Sequence, residues 1–197
     1  DSVMNRAVAT AAAGSDARMN GCEKPVIILS GSGNQGMTAS IPVIVYAKEL
    51  GVSHERLLRA VLLSDLITIH QKTEIGRLSA FCGAVCAGCG SACGIAYLLG
   101  GDEAAIRHTI VNTLAVSSGI VCDGAKSSCA GKIAMAVQTG LLGCYMYRNG
   151  QEYLAGEGLV TSEVEKTILN IGRLGSRGMA ETDKEILAMM TDVDHLP

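Results

Sequence analysis

Apolar and polar residues recur along most of the chain with the three- and four-residue spacing of helices that bury one face. Ser53 and Asp102 stand where helix N-caps are expected, and Gly100 and Gly101 stand where a helix ends. The fold class that we expect is therefore all-α, with glycine- and alanine-rich helices packed closely together. The spacing predicts helices over 3–13, 37–50, 54–70, 75–99, 103–117, 129–147, 162–174 and 183–190.

A short apolar run from Pro25 to Leu29 is either a strand or a buried extended segment, and a glycine-rich stretch follows it. The stretch Gly31-Ser-Gly-Asn-Gln-Gly36 matches the G-x-G-x-x-G pattern of dinucleotide-binding folds. Those folds need a second parallel strand after the helix, whereas another helix is predicted here, which argues against a dinucleotide site. Two interpretations stay open: an anion bound by backbone N–H groups at a helix N-terminus, or a tight turn that needs glycine.

Four cysteines lie within twelve residues, at Cys82, Cys86, Cys89 and Cys93. On a helix they form a stripe about 60° wide whose outer members stand roughly 16 Å apart, so at most two neighbours can share one metal centre. The first three also match the C-x-x-x-C-x-x-C spacing of radical enzymes that cleave S-adenosylmethionine, but the predicted helical flanks argue against that class. The alternative is that the later cysteines are small buried side chains that allow close helix packing.

A second pair of cysteines, Cys122 and Cys129, brackets a predicted loop that leads into a helix. A helix N-terminus favours a thiolate at Cys129, and Lys126 and Lys132 add positive charge nearby. Together with one cysteine of the stripe, this pair would supply three thiolate ligands. Three ligands suit either a four-iron cluster with one open iron or a catalytic zinc with a bound water, and the residues alone leave both open.

Composition narrows the classes of function. The 197 residues are 48% hydrophobic, carry a net charge of −3 and spread their basic residues along the chain, so a nucleic-acid-binding face is not expected. Lys132 and Gln138 interrupt the best candidate for a membrane span, and no signal peptide is visible. A cysteine stripe on one helix cannot pair with itself in disulfides, so we expect reduced thiols, a soluble protein and a cytoplasmic location.

The histidines carry little information about function. His70 closes a predicted helix and is a candidate polar site residue, although a lone helical histidine is more often structural. His54, His108 and His195 are expected at the surface.

Three segments of the chain resemble the L-cysteine desulfidases and their uncharacterised bacterial relatives. These proteins share an all-helical catalytic domain with the α chain of bacterial iron–sulfur L-serine dehydratase. The segments are Ser30-Gly-Ser-Gly-Asn-Gln-Gly36, Ile75-Gly-Arg-Leu-Ser-Ala-Phe-Cys82 and Gly119-Ile-Val-Cys-Asp-Gly-Ala-Lys-Ser-Ser-Cys129. The resemblance covers about 30–188. Family members are longer at the N-terminus, so 1–197 would be a single helical domain forming the C-terminal catalytic part of a longer protein.

The resemblance implies an oxygen-sensitive [4Fe–4S] cluster held by three cysteines, whose open iron takes the substrate carboxylate and leaving group. Matched motif by motif, these ligands fall on Cys82, Cys122 and Cys129. The glycine-rich loop would hold the substrate carboxylate, which makes its first residues the substrate-binding candidates: Ser30, Gly31, Ser32, Gly33 and Asn34.

The implied activity is α,β-elimination of sulfide from L-cysteine, giving pyruvate and ammonia. Serine dehydratases have a longer gap between their last two cluster ligands than the six residues that separate Cys122 and Cys129, so the desulfidase branch fits better. Cys22 does not match the N-terminal motif in which desulfidases keep a proposed catalytic base, so no catalytic residue is assigned. The alternatives are an L-serine dehydratase on the same scaffold or a non-catalytic metal or redox module. The expected partners are a small amino-acid substrate and further copies of the chain, together with any missing N-terminal part.

Overall fold

The computed structural model describes residues 2–192 and places eight α-helices and no β-strand in them, which confirms the all-α prediction. A π-helical turn at Leu174–Gly178 joins the last two helices. His195 lies outside the described residues. No helix in 2–192 is both long enough and apolar enough to cross a membrane. The helices are α1 (Val3–Met19), α2 (Gly33–Leu50), α3 (His54–Ile75), α4 (Gly83–Leu98), α5 (Glu103–Ser117), α6 (Cys129–Arg148), α7 (Val164–Arg173) and α8 (Ala180–Thr191).

Helix α4 lies at the centre of the protein and packs against α2, α3, α5 and α6. All of its residues are buried except Gly83 and Tyr97. Its glycines allow this because the neighbouring backbones come very close: a Cβ atom at Gly88 would lie 2.5 Å from the carbonyl oxygen of Ala136. Cys86, Cys89 and Cys93 are fully buried in this helix, where their small side chains fill the core.

Helices α2, α4 and α6 run in the same direction, which decides where their ends lie. The side chain of Gln35 at the start of α2 lies against Gly83 at the start of α4, and Val43 lies against Gly94 further along both helices. Helices α4 and α6 are likewise parallel, because Gly88 lies against Ala136 and Gly140 lies against both Gly88 and Ala92. Three helix N-termini therefore meet at one end of the protein.

Helix α3 runs in the opposite direction. Its Thr68 hydroxyl donates a hydrogen bond to the carbonyl oxygen of Cys86 at 3.4 Å, and Ala60, near its start, lies against Gly94, near the end of α4. The C-terminal turn of α3 therefore lies beside the N-termini of α2, α4 and α6. The last turn of α1 reaches the same end, since Arg18 donates to Asn34 at 3.0 Å.

The largest error in the predicted helices concerns 75–99. The chain forms a loop over 76–82 and enters α4 only at Gly83, so Cys82 is the N-cap residue and not part of a helical stripe. Gly76 ends α3 because its φ of +93° lies in a region that other residues rarely adopt. The Ser79 hydroxyl then holds the loop, donating to the carbonyl oxygen of Gly175 at 2.6 Å and accepting from the Phe81 N–H at 2.9 Å.

Several other boundaries also differ from prediction. Helix α1 continues to Met19, α3 continues to Ile75, and α2 begins at Gly33, inside the stretch that the pattern assigned to a loop. The apolar run at 25–29 is neither a strand nor buried: Ile27 and Ile28 are exposed, and the run forms a single bridge between Leu29 and Ser32. Gly36 lets this run pack against the first turn of α2, because a Cβ atom there would lie 2.0 Å from the carbonyl oxygen of Ile27.

Candidate functional site

A pocket of about 300 Å³ opens at the end of the protein where the three helix N-termini meet. Helix α1 contributes its last turn to the pocket, α3 its C-terminal turn, and α2, α4 and α6 their first turns. The loops before α4 and α6 complete the wall. The lining residues that matter for its chemistry are Arg18, Gly31, Ser32, Asn34, Gln35, Lys72, Arg77, Cys82, Cys122, Cys129 and Lys132.

Two extended segments bring Cys82 and Cys122 to the same wall of the pocket. Phe81 and Val121 form an isolated antiparallel bridge. Beside it, the Cys82 N–H donates to the carbonyl oxygen of Ile120 at 3.0 Å, and the Cys122 N–H donates to the carbonyl oxygen of Ala80 at 2.6 Å. These two backbone hydrogen bonds fix the spacing of the two cysteines before any ligand binds.

Cys129 reaches the pocket as the first residue of α6. Its thiol donates weakly to the carbonyl oxygen of Gly124 at 3.6 Å. All three pocket cysteines are free thiols, Cys82 buried and the other two half-buried. In residues 2–192, no three histidine, cysteine, aspartate or glutamate side chains form a group that could hold a single metal ion. The three thiols therefore line one pocket without meeting at one point.

Burial and helix dipoles act in opposite directions on negative charge in the pocket. Burial raises the pKa of the Cys82 thiol, and the nearby sulfurs of Cys122 and Cys129 raise it further, whereas the Ala84 N–H and the Lys132 ammonium act against this. The positive ends of three helix dipoles point into the same space.

Four basic side chains line the pocket, whereas no aspartate or glutamate is among its lining residues. These bases are Arg18, Lys72, Arg77 and Lys132. Lys132 forms an ion pair with Asp123, which holds the pKa of that carboxyl below its usual range. The remaining positive charge makes the pocket suited to an anionic ligand, in a chain whose net charge is −3.

The glycine-rich stretch begins as a tight turn and continues as the first turn of α2. Ser30 and Gly31 have φ values of +48° and +94°, and Leu29 and Ser32 exchange N–H···O hydrogen bonds of 3.2 and 3.1 Å on either side of them. Positive φ at both central residues is typical of a type I′ turn. The tight-turn interpretation thus applies to Gly31, and the unpaired helix N-terminus that the anion interpretation requires follows it.

The substrate-binding candidates divide into two groups. Gly31, Ser32 and Asn34 line the pocket, whereas Ser30 and Gly33 are not among its lining residues. A Cβ atom at Gly33 would lie 2.4 Å from Cγ2 of Val26, so this glycine permits close packing beneath the loop.

Backbone donors remain available at the start of α2. The Ser32 side chain does not cap the helix, and the first four-residue hydrogen bond joins the Gly36 N–H to the carbonyl oxygen of Ser32. The N–H groups of Gly33, Asn34 and Gln35 therefore have no partner in the part of the chain that the structure describes. The Asn34 side chain accepts from Arg18 at 3.0 Å and thereby holds this guanidinium at the pocket.

The sequence patterns did not identify Lys72 and Gln35 as site residues. Lys72 lies in the last turn of α3 on the face that also buries Thr68 and Ser64, four and eight residues earlier. A lysine at this spacing on an otherwise buried face was the signal that could have identified it. Gln35 belongs to the glycine-rich stretch, but glutamine has no distinctive chemistry by which the pattern would single it out.

None of the three histidines in residues 2–192 lines this pocket. His70 lies 2.7 Å from Glu165 on a half-exposed surface, so it is not the polar site residue that was considered. His108 is partly buried, stacked on Tyr147 at 4.6 Å and 2.5 Å from Glu152, which corrects its expected surface position. His54 is exposed, as expected.

The residues that the structure describes form an all-α fold with a thiol-lined, positively charged pocket, and comparison with known proteins shows the family. The family model described as serine dehydratase alpha chain matches residues 1–188, so the chain belongs to the serine dehydratase alpha-chain family.

Three curated relatives of the chain carry the designation UPF0597 protein. The chain is 66% identical over 185 residues to the protein of Desulfitobacterium hafniense, covering 94% of this chain and 43% of the relative. It is 57% identical over 190 residues to that of Lachnoclostridium phytofermentans, covering 96% and 46%. It is 50% identical over 189 residues to that of Treponema denticola, covering 96% and 44%. The chain thus spans less than half the length of these relatives. No solved structure gives a significant match.

Proposed function

We propose that the chain is the catalytic part of an iron–sulfur-dependent lyase that removes sulfide from L-cysteine by α,β-elimination. The reaction converts L-cysteine and water into pyruvate, ammonia and hydrogen sulfide. The observation that carries the proposal is the placement of three free thiols, at Cys82, Cys122 and Cys129, around one positively charged pocket. Membership of the serine dehydratase alpha-chain family supports a lyase.

The donor set of the pocket fits a [4Fe–4S] cluster. A cluster of this type is held by thiolates that each bind a different iron, so its ligands need not converge on one point, and all three cysteines line this pocket. The cluster would fill part of the pocket and bring negative charge, which the helix N-termini and basic side chains favour. When bound, it supplies an iron that acts as a Lewis acid towards the substrate and its leaving group. An oxygen-sensitive cofactor of this kind suits the reducing cytoplasm.

The chain's own residues would bind and orient the substrate. The free N–H groups at the start of α2, with the Ser32 hydroxyl beside them, are donors for a carboxylate. Ser30 and Gly31 shape the turn that presents these donors, and Gly33 lets the turn pack against Val26. Arg18 adds positive charge at the same edge, where Asn34 holds it.

L-Serine is the second candidate substrate, and the description of the matching family favours it. The spacing of the cysteines favours L-cysteine, because only six residues separate Cys122 from Cys129. Thiol and hydroxyl differ in their affinity for iron, so one scaffold can serve either leaving group with small changes around the pocket.

The test is a comparison of the two substrates under anaerobic conditions. The chain and the Desulfitobacterium hafniense relative, which extends beyond it, are assayed in parallel for sulfide and pyruvate from L-cysteine and for pyruvate from L-serine. We expect equal amounts of sulfide and pyruvate from L-cysteine and a lower rate with L-serine. Activity with L-serine alone would assign a serine dehydratase, and a full cluster without either activity would assign a non-catalytic module.

A matched pair of variants tests whether any measured activity depends on the pocket cysteines. Cys129→Ser removes a proposed ligand, whereas Cys89→Ser changes a fully buried thiol in the middle of α4 that does not line the pocket. We expect the first variant to lose activity and the second to retain it once its stability is accounted for.

A further inference from the structure

Two buried polar side chains of the pocket have no partner in the described part of the chain. Lys72 is 5% exposed and its side chain makes no hydrogen bond or ion pair with residues 2–192, while its ammonium group keeps access to solvent, so a ligand in the pocket can reach it. Gln35 is 8% exposed, and its Oε1 atom accepts no hydrogen bond there. Burying a polar atom such as Gln35 Oε1 without a partner is unfavourable, so this side chain adds little stability to the ligand-free fold.

The two groups are chemically complementary. The Lys72 ammonium is a donor with a positive charge, and Gln35 Oε1 is a neutral acceptor. Both residues line the same pocket of about 300 Å³. A ligand that satisfies both must carry a negatively charged acceptor and a donor on one small molecule. An α-amino acid zwitterion, with its carboxylate and its α-ammonium group, has this composition.

Packing holds Gln35 in position. A Cβ atom at Gly83 would lie 2.5 Å from Cδ and Nε2 of Gln35, so the glutamine side chain rests on the first residue of α4, next to Cys82. Gly83 is therefore the residue that leaves room for this amide. Lys72 is fixed from the other side by the last turn of α3, which ends at Gly76.

We propose that Lys72 and Gln35 recognise the zwitterionic head of an α-amino acid. The Lys72 ammonium binds the carboxylate, and Gln35 Oε1 accepts a hydrogen bond from the α-ammonium group. The proposal deepens the proposed function by assigning the amino-acid specificity of the same pocket. The reaction of the bound amino acid rests on that proposed function, whereas binding of the amino acid does not. It adds a charged carboxylate ligand to the neutral backbone donors at the start of α2.

The experiment measures binding of two unreactive probes to the purified 197-residue chain by calorimetry or NMR titration. L-Alanine has the zwitterionic head without a leaving group, and propionate has only the carboxylate. The wild-type chain should bind L-alanine more tightly than propionate. Lys72→Met should weaken both probes at least tenfold, because the charge that binds the carboxylate is gone. Gln35→Leu should weaken L-alanine at least tenfold and leave propionate unchanged.

Controls separate recognition from stability. Lys48→Met removes an exposed lysine at the far end of α2 and should change neither affinity. The melting temperature of each ligand-free variant is measured beside its affinity, so that a loss of folded protein is not taken for a loss of binding. If Lys72→Met does not fold, Lys72→Gln, which keeps a polar group, takes its place.

Unchanged affinity for both probes in a folded Lys72 variant overturns the proposal, as does an equal loss of both probes in Gln35→Leu. Iron content, measured in every sample, keeps this outcome distinct from failure of the proposed function. Discrimination between the probes in a chain that never holds iron supports the amino-acid site and refutes the lyase. Loss of iron in Lys72→Met with unchanged affinity for L-alanine makes Lys72 a counter-charge to the cluster and also overturns the proposal.

Discussion

The contact between α4 and α6 offers a sharp test of the packing on which the site depends. These helices carry Cys82 and Cys129 at their starts, so their separation helps to set the spacing of the two thiols. They approach through glycines: a Cβ atom at Gly140 would lie 2.5 Å from the carbonyl oxygen of Gly88 and 3.0 Å from Cβ of Ala92. Gly140→Ala would therefore place a methyl group against backbone that cannot rotate away.

The size of the effect follows from this overlap. Overpacking of a core costs about 1–3 kcal/mol, and the backbone clash at Gly140 places the cost at the upper end, about 3 kcal/mol. Alanine in place of glycine in a helix returns about 1 kcal/mol. We therefore expect Gly140→Ala to lower the free energy of unfolding by about 2 kcal/mol, roughly a thirtyfold shift in the folding equilibrium. Urea denaturation followed by circular dichroism measures this value.

Gly131→Ala is the matched control because Gly131 lies in the same helix, and a Cβ atom there would meet nothing within 4 Å. This variant should be as stable as the wild type or up to about 1 kcal/mol more stable, since only helix propensity changes. The iron content should fall in Gly140→Ala if the packing of α4 on α6 sets the thiol spacing. Equal stability of the two variants would refute the close approach of the helices.

Two further predictions concern titration and reactivity. Lys132 lowers the pKa of Asp123 in the folded chain, so this pair adds stability above the ordinary carboxyl pKa of about 4, and the gain is lost as the pH falls further. Asp123→Asn should therefore reduce the fall in the free energy of unfolding at acid pH. An unchanged fall would contradict the pairing. Cys22 is exposed, whereas burial raises the pKa of Cys86 to about 12 and that of Cys93 well above its usual value. Iodoacetamide should therefore label Cys22 in the native chain and the other two cysteines only after unfolding. Rapid labelling of Cys86 in the native chain, detected by mass spectrometry, would contradict the burial.

The sequence pattern located most helices because each buries one face and exposes another. It failed at the start of α4, where this contrast is missing on both sides of Gly83. Ile75, Leu78 and Phe81 have helical spacing although they lie in or beside a loop, and α4 itself is buried all round. Periodicity therefore gave no boundary between them. Gly76 was the only local sign of a break, and a single glycine does not reveal its φ.

Clustered thiols have few functions in a chain that does not need disulfides, so the residues alone pointed to Cys122 and Cys129 with one cysteine of the stripe, and the resemblance to a known family selected Cys82. Their arrangement could not be predicted. Two backbone hydrogen bonds join the segments of Cys82 and Cys122, and backbone bonds of this kind leave no pattern of side chains. Lys72 and Gln35 escaped notice for a related reason, since their importance comes from burial without a partner, which only the packed structure defines.

The central claim is that Cys82, Cys122 and Cys129 hold an iron–sulfur cluster, and iron and acid-labile sulfide analysis of anaerobically purified chains tests it most directly. The wild type and Cys89→Ser should each contain about four irons and four sulfides per chain, with the broad visible absorption of a [4Fe–4S] cluster that fades in air. Serine at Cys82, Cys122 or Cys129 should abolish the iron, the sulfide and the absorption together. A cluster that survives serine at Cys122 and at Cys129, or that is lost in Cys89→Ser, would contradict the account.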